Sequence, residues 1–183
     1  LNLTHVNVNA SGTNATPVNS TGFTVGDLVL FHQTQGTANV GRWEFATIAA
    51  INSATSWILT KPLQYLYDNT NGVAQVIKVP QYRNVTVKTG GILEVAGWDG
   101  SNGGVSAFRA IGATVVESGG QITAIGKGFR GGYLAGANNT GQQGEGLMGY
   151  GTRSTRRNNN GGGGGEGGNN SGAGEPGSGG GGG

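Results

Sequence analysis

Four acidic side chains, Asp27, Glu44, Asp68 and Asp99, are the residues here best suited to acid–base work. Two carboxylates facing each other at a set separation would make a glycosidase pair. Each of these acids sits beside a predicted turn or on a predicted strand, with no helper motif, so the sequence reads them as structural. Asp99-Gly-Ser-Asn-Gly103 offers oxygen ligands in a tight loop and invites a calcium reading. It lacks the spaced acids and the closing bidentate Glu of a calcium loop, and a glycine turn is the better reading. His5 and His32 are the only histidines and cysteine is absent, which argues against a zinc site and excludes a disulfide. No cofactor, metal or catalytic residue is expected, and the chain is read as not an enzyme.

Arg153, Arg156 and Arg157 form a small basic cluster in Thr-Arg-Ser-Thr-Arg-Arg. Nucleic-acid binding would need a larger patch or stacking aromatics, so none is expected. These arginines are expected to pair with Glu145, Glu166 or Glu175, or to line a contact with a neighbour. The glycine runs are not phosphate loops, because no Gly-Lys-Ser/Thr follows them. The Asn-x-Ser/Thr acceptor pattern occurs at Asn2, Asn9, Asn14, Asn19, Asn84, Asn138 and Asn169. Asn and Thr are abundant enough for several matches to arise by chance, so these are candidate glycosylation sites only.

The elements that must position these residues are read best from a unit written twice. Val85-Thr-Val-Lys-Thr-Gly90-Gly91-Ile-Leu-Glu-Val-Ala-Gly97 is one copy and Thr114-Val-Val-Glu-Ser-Gly119-Gly120-Gln-Ile-Thr-Ala-Ile-Gly126 the other. Each reads as strand, Gly-Gly turn, strand, with apolar residues at a period near two. Such a unit cannot bury an apolar face alone, so neighbours must stack. Phe108, on a predicted strand Val105–Ile111 between the copies, and Ile122 are expected in the buried core of that stack.

Ahead of the repeat, residues 22–80 carry ordinary strand signals at Leu28–Thr34, Trp43–Ile51, Thr55–Thr60 and Val73–Val79, separated by Gly/Asn/Ser turns. Short strands at this spacing predict a small β-barrel or sandwich. Trp43, Phe45, Trp57, Tyr65 and Tyr67 are expected in its core and rim, with Trp43, Phe45, Thr47, Ala49 and Ile51 on one face. Residues 1–21 read as an N-terminal strand segment. Leu3, Val6 and Val8 must pair either within their own domain or with a neighbouring subunit's sheet.

Residues 133–183 are dominated by glycine, including the uninterrupted runs Gly161–Gly165 and Gly179–Gly183. No Gly-X-Y period is present, so this is not collagen. Two forms remain: a flexible linker, or packed extended helices of the polyproline-II type that hydrogen-bond to one another. The packed form is the expectation, with Gly161, Gly163 and Gly165 as candidate assembly positions. The fold class is thus all-β: a small barrel or sandwich (22–80), a stacked hairpin or solenoid-like region (81–132) and a packed glycine-rich tail.

Composition bounds what such a chain can do. Its 183 residues suffice for one sizeable domain or two small ones. Hydrophobic content of 34% and charged content of 11% are both low for a globular domain. A net charge of +2 is too small to draw nucleic acid or membranes by itself. No apolar run approaches the roughly 18 residues of a membrane-spanning helix. The chain opens on Leu1 rather than Met and reads as processed or taken from a longer one.

Three motifs in order carry a resemblance. They are Val25-Gly-Asp-Leu-Val-Leu-Phe-His-Gln-Thr-Gln-Gly36, then Gly41-Arg-Trp-Glu-Phe-Ala46, then Trp98-Asp-Gly-Ser-Asn-Gly-Gly-Val-Ser-Ala-Phe-Arg109 continuing to Gly126-Lys-Gly-Phe-Arg-Gly-Gly132. Over residues 18–165 the chain resembles a glycine-rich β module of large secreted and surface-anchored bacterial adhesin-like proteins, in which a segment like Gly141-Gln-Gln-Gly-Glu-Gly146 follows. His32 and Thr34 depart from that pattern, standing where apolar residues are usual. The tail is also similar in composition to polyglycine-containing phage tail-fibre adhesins. The resemblance implies an extracellular or cell-surface, adhesin-like or appendage-forming role with self-association into an oligomer or filament; it supplies no catalytic residue and no defined ligand. The alternative expectation is a carbohydrate- or receptor-binding adhesin tip, with a cell-surface glycan as partner and specificity in the loops Gln33–Arg42 and Tyr65–Gly72.

Overall fold

The computed structural model describes residues 1–36 and 38–130, and the backbone alone of three further strands, Tyr133–Ala135, Thr140–Gln142 and Arg153–Ser154. Among the described residues every regular element is a strand and none is a helix. The alternation of apolar and polar residues explains why. In β1 (His5–Ser11) Val6, Val8 and Ala10 are buried at every second position, a period that suits a half-buried strand and no helix. Gly12, at φ +55, turns the chain directly into β2 (Asn14–Pro17), a conformation glycine adopts without steric cost.

Four longer-range strands follow: β3 (Leu28–Gln35), β4 (Trp43–Ser53), β5 (Ser56–Leu59) and β6 (Val73–Lys78). With β1 and β2 they close an antiparallel barrel in the order β1-β2-β5-β4-β3-β6. Closure is made by β1, which pairs with β2 on one side and with β6 on the other, Val6 opposite Val76. The N-terminal strand therefore pairs within its own chain, and His5–Ser11 and Asn14–Pro17 form part of the barrel wall. Closing the ring removes the exposed edges an open sheet would carry.

Val6, Val8, Ala15, Val29, Phe31, Ile48, Trp57, Leu59, Tyr67 and Val76 fill the barrel. The Phe23 and Trp57 rings lie 4.8 Å apart and those of Phe31 and Tyr67 5.4 Å apart. Of the aromatics expected in core and rim, Trp57 and Tyr67 are buried, whereas Trp43 and Phe45 lie outside the core, 51% and 50% exposed. The inward residues of β4 are Ala46, Ile48 and Ile51 instead. A register shift between Ile48 and Ala50 inserts one extra residue, so Ile48 and Ile51, three apart, both face inward, which strict alternation forbids.

The second half is organised differently. β7 (Gln81–Tyr82), β8 (Val85–Val87) and β9 (Ile92–Glu94) pair in parallel with β10 (Arg109–Ala110), β11 (Thr114–Val116) and β12 (Gln121–Thr123). Gln81 pairs with Arg109, Val85 with Thr114 and Ile92 with Gln121, a spacing of 28 or 29 residues. The two copies therefore lie one over the other. The expected hairpin within each copy is corrected: the Gly-Gly step turns a corner, and each strand finds its partner in the other copy. Only Arg109–Ala110 of the predicted strand Val105–Ile111 pairs as a strand. Further on, β13 (Tyr133–Ala135), β14 (Thr140–Gln142) and β15 (Arg153–Ser154) form an antiparallel sheet.

The stacked copies expose what was expected to be hidden. Val87 is 7% exposed, while its partner Val116 is 44% exposed; Leu93 is half-buried, while its partner Ile122 is 39% exposed. Ile122 sits in the register predicted for a core residue, but no described residue covers it from the far side. Phe108 is half-buried and packs 6.3 Å from the Tyr82 ring.

Candidate functional site

Two places gather polar side chains: the seam between the barrel and the stacked copies, and one end of the barrel. The seam begins on β3 and β6, which are buried on both faces. Val29, Phe31, Ala74 and Val76 point into the barrel, so Leu30, His32, Thr34, Gln75 and Ile77 point outward. Leu30, Ile77 and Val79 pack there against Leu28, Val105 and Ala107.

The loop Trp98–Gly104 docks on the same face. Asp99 accepts hydrogen bonds from the Ser101 and Asn102 amides, each at 2.7 Å, which shapes the turn. Those bonds, Asn102 first, hold the Asp99 pKa below its usual value. Gly103 and Gly104 have φ of +91 and +72, and a Cβ on Gly103 would run into the Gly97 carbonyl. Gln75 exchanges two hydrogen bonds with the Gly103 backbone. Asn7 Oδ1 accepts from Ser101 Oγ and Asn102 Nδ2, each at 2.8 Å. Asn2, only 4% exposed and at φ +56, donates to the carbonyls of Lys78 and Ala107 and accepts from the Ala107 amide. The oxygen-rich stretch that invited a calcium reading thus directs its polar groups at its own turn and at the barrel.

His32 completes the seam. Its ring stacks on Phe129 at 5.3 Å and 7°, and Trp98 meets Phe129 edge-on. Gln75 Nε2 donates to Thr34 Oγ1, and His32 Nδ1 lies 2.8 Å from the same hydroxyl. Burial pushes the imidazole pKa down to about 4, so the ring is neutral. The departure at His32 and Thr34 is therefore a buried, hydrogen-bonded polar row where the two halves meet. Sequence reasoning missed Asn2, Asn7 and Gln75; the one available signal was Gln75 interrupting the apolar run Val73-Ala-Gln-Val-Ile77.

At the barrel end, the loop Tyr65–Gly72 stands between two clefts. The larger, an open groove of about 600 Å³, is lined by Asn9, Asn14, Thr16, Leu66, Asp68 and Asn71, among others. Gln33 anchors the loop by donating to the Asp68 carbonyl and accepting from its amide. Asp68 accepts from Asn71 Nδ2 and from the Thr70 and Asn71 amides, contacts that lower its pKa. Arg42 lies over the Tyr65 ring at 5.3 Å.

The remaining acids are engaged one by one. Asp27 pairs with Lys78 at 2.8 Å and accepts from the Thr24 amide. Glu44 accepts from the Gln64 and Tyr65 amides. Burial first, then the Glu44 charge, raises the Tyr67 pKa. His5 Nδ1 lies 2.9 Å from the Asn2 carbonyl. Among the described residues no three His, Asp or Glu side chains gather around one point.

Of the acceptor-pattern asparagines, Asn2 is buried and its Nδ2 is engaged twice, so it is not open to attachment in this fold. Asn9 and Asn19 are half-buried, their Oδ1 atoms held by the Asn69 and Thr21 amides. Asn84 is exposed and accepts from the Ala113 amide; Asn14 is exposed on β2. Asn138 and Asn169 lie outside the described residues, as do Gly161, Gly163, Gly165, Arg156, Arg157, Glu145, Glu166 and Glu175. Arg153 is described in its backbone alone. Of the candidate assembly residues, Val6 and Val8 lie in the barrel's own core. Leu3 is exposed. No helix among the described residues is long and apolar enough to cross a membrane. Comparison with family models, with curated proteins and with solved structures finds no match to this chain.

Proposed function

We propose that the chain is a structural module of an extracellular filament or surface adhesin, without catalytic activity, that assembles through β-strand pairing and glycine-rich packing. The observation that carries this reading is the seam. Asn2, Asn7 and Gln75 grip backbone and side-chain groups of the stacked region, so the most ligand-like loop, Trp98–Gly104, is tied to the barrel through Ser101, Asn102 and Gly103. Buried polar contacts of this kind favour one arrangement of the parts they join. In this reading residues 81–130 are two turns of a solenoid-like stack, the barrel is its platform, and the glycine-rich tail packs as extended helices that add backbone contacts between modules. Self-association is the function, and the cell exterior is its setting.

Electron microscopy of the purified full chain tests it. Filaments or regular oligomers are expected. Single particles at every concentration, together with turnover of any polysaccharide, would overturn it.

A second reading, binding of a cell-surface glycan or receptor at an adhesin tip, is favoured by the groove beside Tyr65–Gly72. Its lining combines amides, hydroxyls and one carboxylate with the exposed side chain of Leu66, the mixture that suits a neutral polar ligand. Titration with an oligosaccharide panel, read by shifts at Asn14, Leu66 and Thr70, distinguishes it from the first.

A further inference from the structure

The buried row on β3 and β6 gathers three side chains that could react with one another. His32 Nδ1 lies 2.8 Å from Thr34 Oγ1, and Gln75 Nε2 donates to the same oxygen at 3.1 Å. His32, Thr34 and Gln75 are all buried. Their strands are neighbours, with His32 paired to Gln75. The register shift between Gln33 and Gln35 leaves Thr34 with no ladder partner of its own, the kind of irregularity that re-aims a side chain.

Together these groups have the parts of an acyl transfer. A hydroxyl within reach of an imidazole is a nucleophile beside its base. Burial keeps His32 neutral, and the tautomer protonated on Nε2 offers Nδ1 as the acceptor for the Thr34 proton. Phe129, stacked on the ring at 5.3 Å, holds its plane. The Gly103 amide donates to Gln75 Oε1 at 2.9 Å, where it polarises the carbonyl and meets the oxyanion that attack creates. Burial also keeps out the water that would compete for the acyl carbon.

We propose that Thr34 and Gln75 join in an internal ester that straps β3 to β6. A small turn of the carboxamide presents its face to Thr34. Oγ1 attacks Gln75 Cδ while its proton passes to His32 Nδ1, and the negative charge collects on Oε1 against the Gly103 amide. The intermediate collapses with cleavage of the Cδ–Nε2 bond. His32 returns the proton to the departing nitrogen, which leaves as ammonia. One C–O bond replaces one C–N bond, nothing is oxidised or reduced, and no further reactant is needed. The structure described here holds the groups before that step. The event occurs once per chain, without turnover, and does not depend on assembly. Its product closes a covalent loop around β4, β5 and the segment Tyr65–Gly72.

The natural full chain is the test. Its mass is expected to be lower than the sequence requires by one ammonia. Trypsin cuts after Arg42 and Lys78 and spares Lys61, which precedes Pro62, so the ester should join peptides 1–42 and 43–78. Fragment ions should place the bond between Thr34 and Gln75, and dilute alkali should separate the pair. Thr34→Val removes the nucleophile at nearly constant volume and should abolish the link. Thr34→Ser should retain it, and His32→Phe, which keeps a ring beside Phe129, should leave most chains unlinked. A natural chain of full mass that yields the two peptides apart overturns the proposal. So does loss of ammonia with the peptides apart, the mark of a cyclic imide at an Asn-Gly pair such as Asn71-Gly72. A link that persists in Thr34→Val, or at full yield in His32→Phe, would overturn the nucleophile or the base. Filaments without the ester would refute the strap and leave the assembly reading standing; the ester without filaments would do the reverse.

Discussion

Gln75 and Gly103 hold each other by two hydrogen bonds, from Gln75 Nε2 to the Gly103 carbonyl at 3.1 Å and from the Gly103 amide to Gln75 Oε1 at 2.9 Å. Both residues are buried, so neither backbone group of Gly103 can turn to water when the side chain is removed. Gln75→Ala should cost about 2–4 kcal/mol, the penalty for stranding two buried polar groups. Gln75→Leu, similar in volume but unable to bond, should cost nearly as much. Urea unfolding measures both, and a loss below about 0.5 kcal/mol would show the seam to be wet or loose.

The docking loop makes a second contrast available. Gly103→Ala must hold φ near +91 and also push its Cβ into the Gly97 carbonyl. It should destabilise by more than about 3 kcal/mol. Gly126→Ala faces only the left-handed backbone, at φ +68 with open space around it, and should cost about 1–2 kcal/mol. Equal effects in thermal unfolding would mean that the close approach at Gly103 is not maintained.

His32 predicts a window of pH sensitivity. Its folded pKa, near 4, lies below the ordinary 6.5, so the unfolded chain takes up a proton that the folded chain refuses. The associated stability is complete above about pH 6.5 and is lost progressively as the pH falls toward 4, in total about 3 kcal/mol. The lowered carboxylates Asp68 and Asp99 act in the same direction but lower, below their ordinary 3.8. Urea midpoints at pH 7 and pH 4.5 should therefore differ for the natural chain and converge for His32→Phe. An unchanged difference in the variant would assign the sensitivity elsewhere.

Two aromatic substitutions separate the barrel's inside from its outside. Phe31 is fully enclosed beside Tyr67, and Phe31→Ala should cost about 3–5 kcal/mol. Phe45 is half exposed, and Phe45→Ala should cost less than about 1 kcal/mol. Denaturant titration of both variants checks the inward and outward alternation across the β3–β4 pair that sorts them.

Local pattern determined a good deal of this molecule. Apolar alternation and β-branched content excluded helices. They also placed the strands Leu28–Gln35, Trp43–Ser53, Ser56–Leu59 and Val73–Lys78 close to where they lie, because side-chain period is a property of neighbouring residues. The duplicated unit at 85–97 and 114–126 was equally legible, since its internal likeness needs no partner to be seen. Tertiary structure decided the rest. Val6 and Val8 became barrel core only because β6, some seventy residues on, completes their wall. Trp43 and Phe45 face outward because they pair with the outward-pointing His32 and Leu30, and the residue inserted after Ile48 breaks their alternation with Ile51. Asn2, Asn7 and Gln75 became the seam because glycines near residue 103 let a distant backbone approach them. Which face of a strand is inside, and which polar group meets which, depends on contacts between residues far apart in the chain, and no local period encodes those.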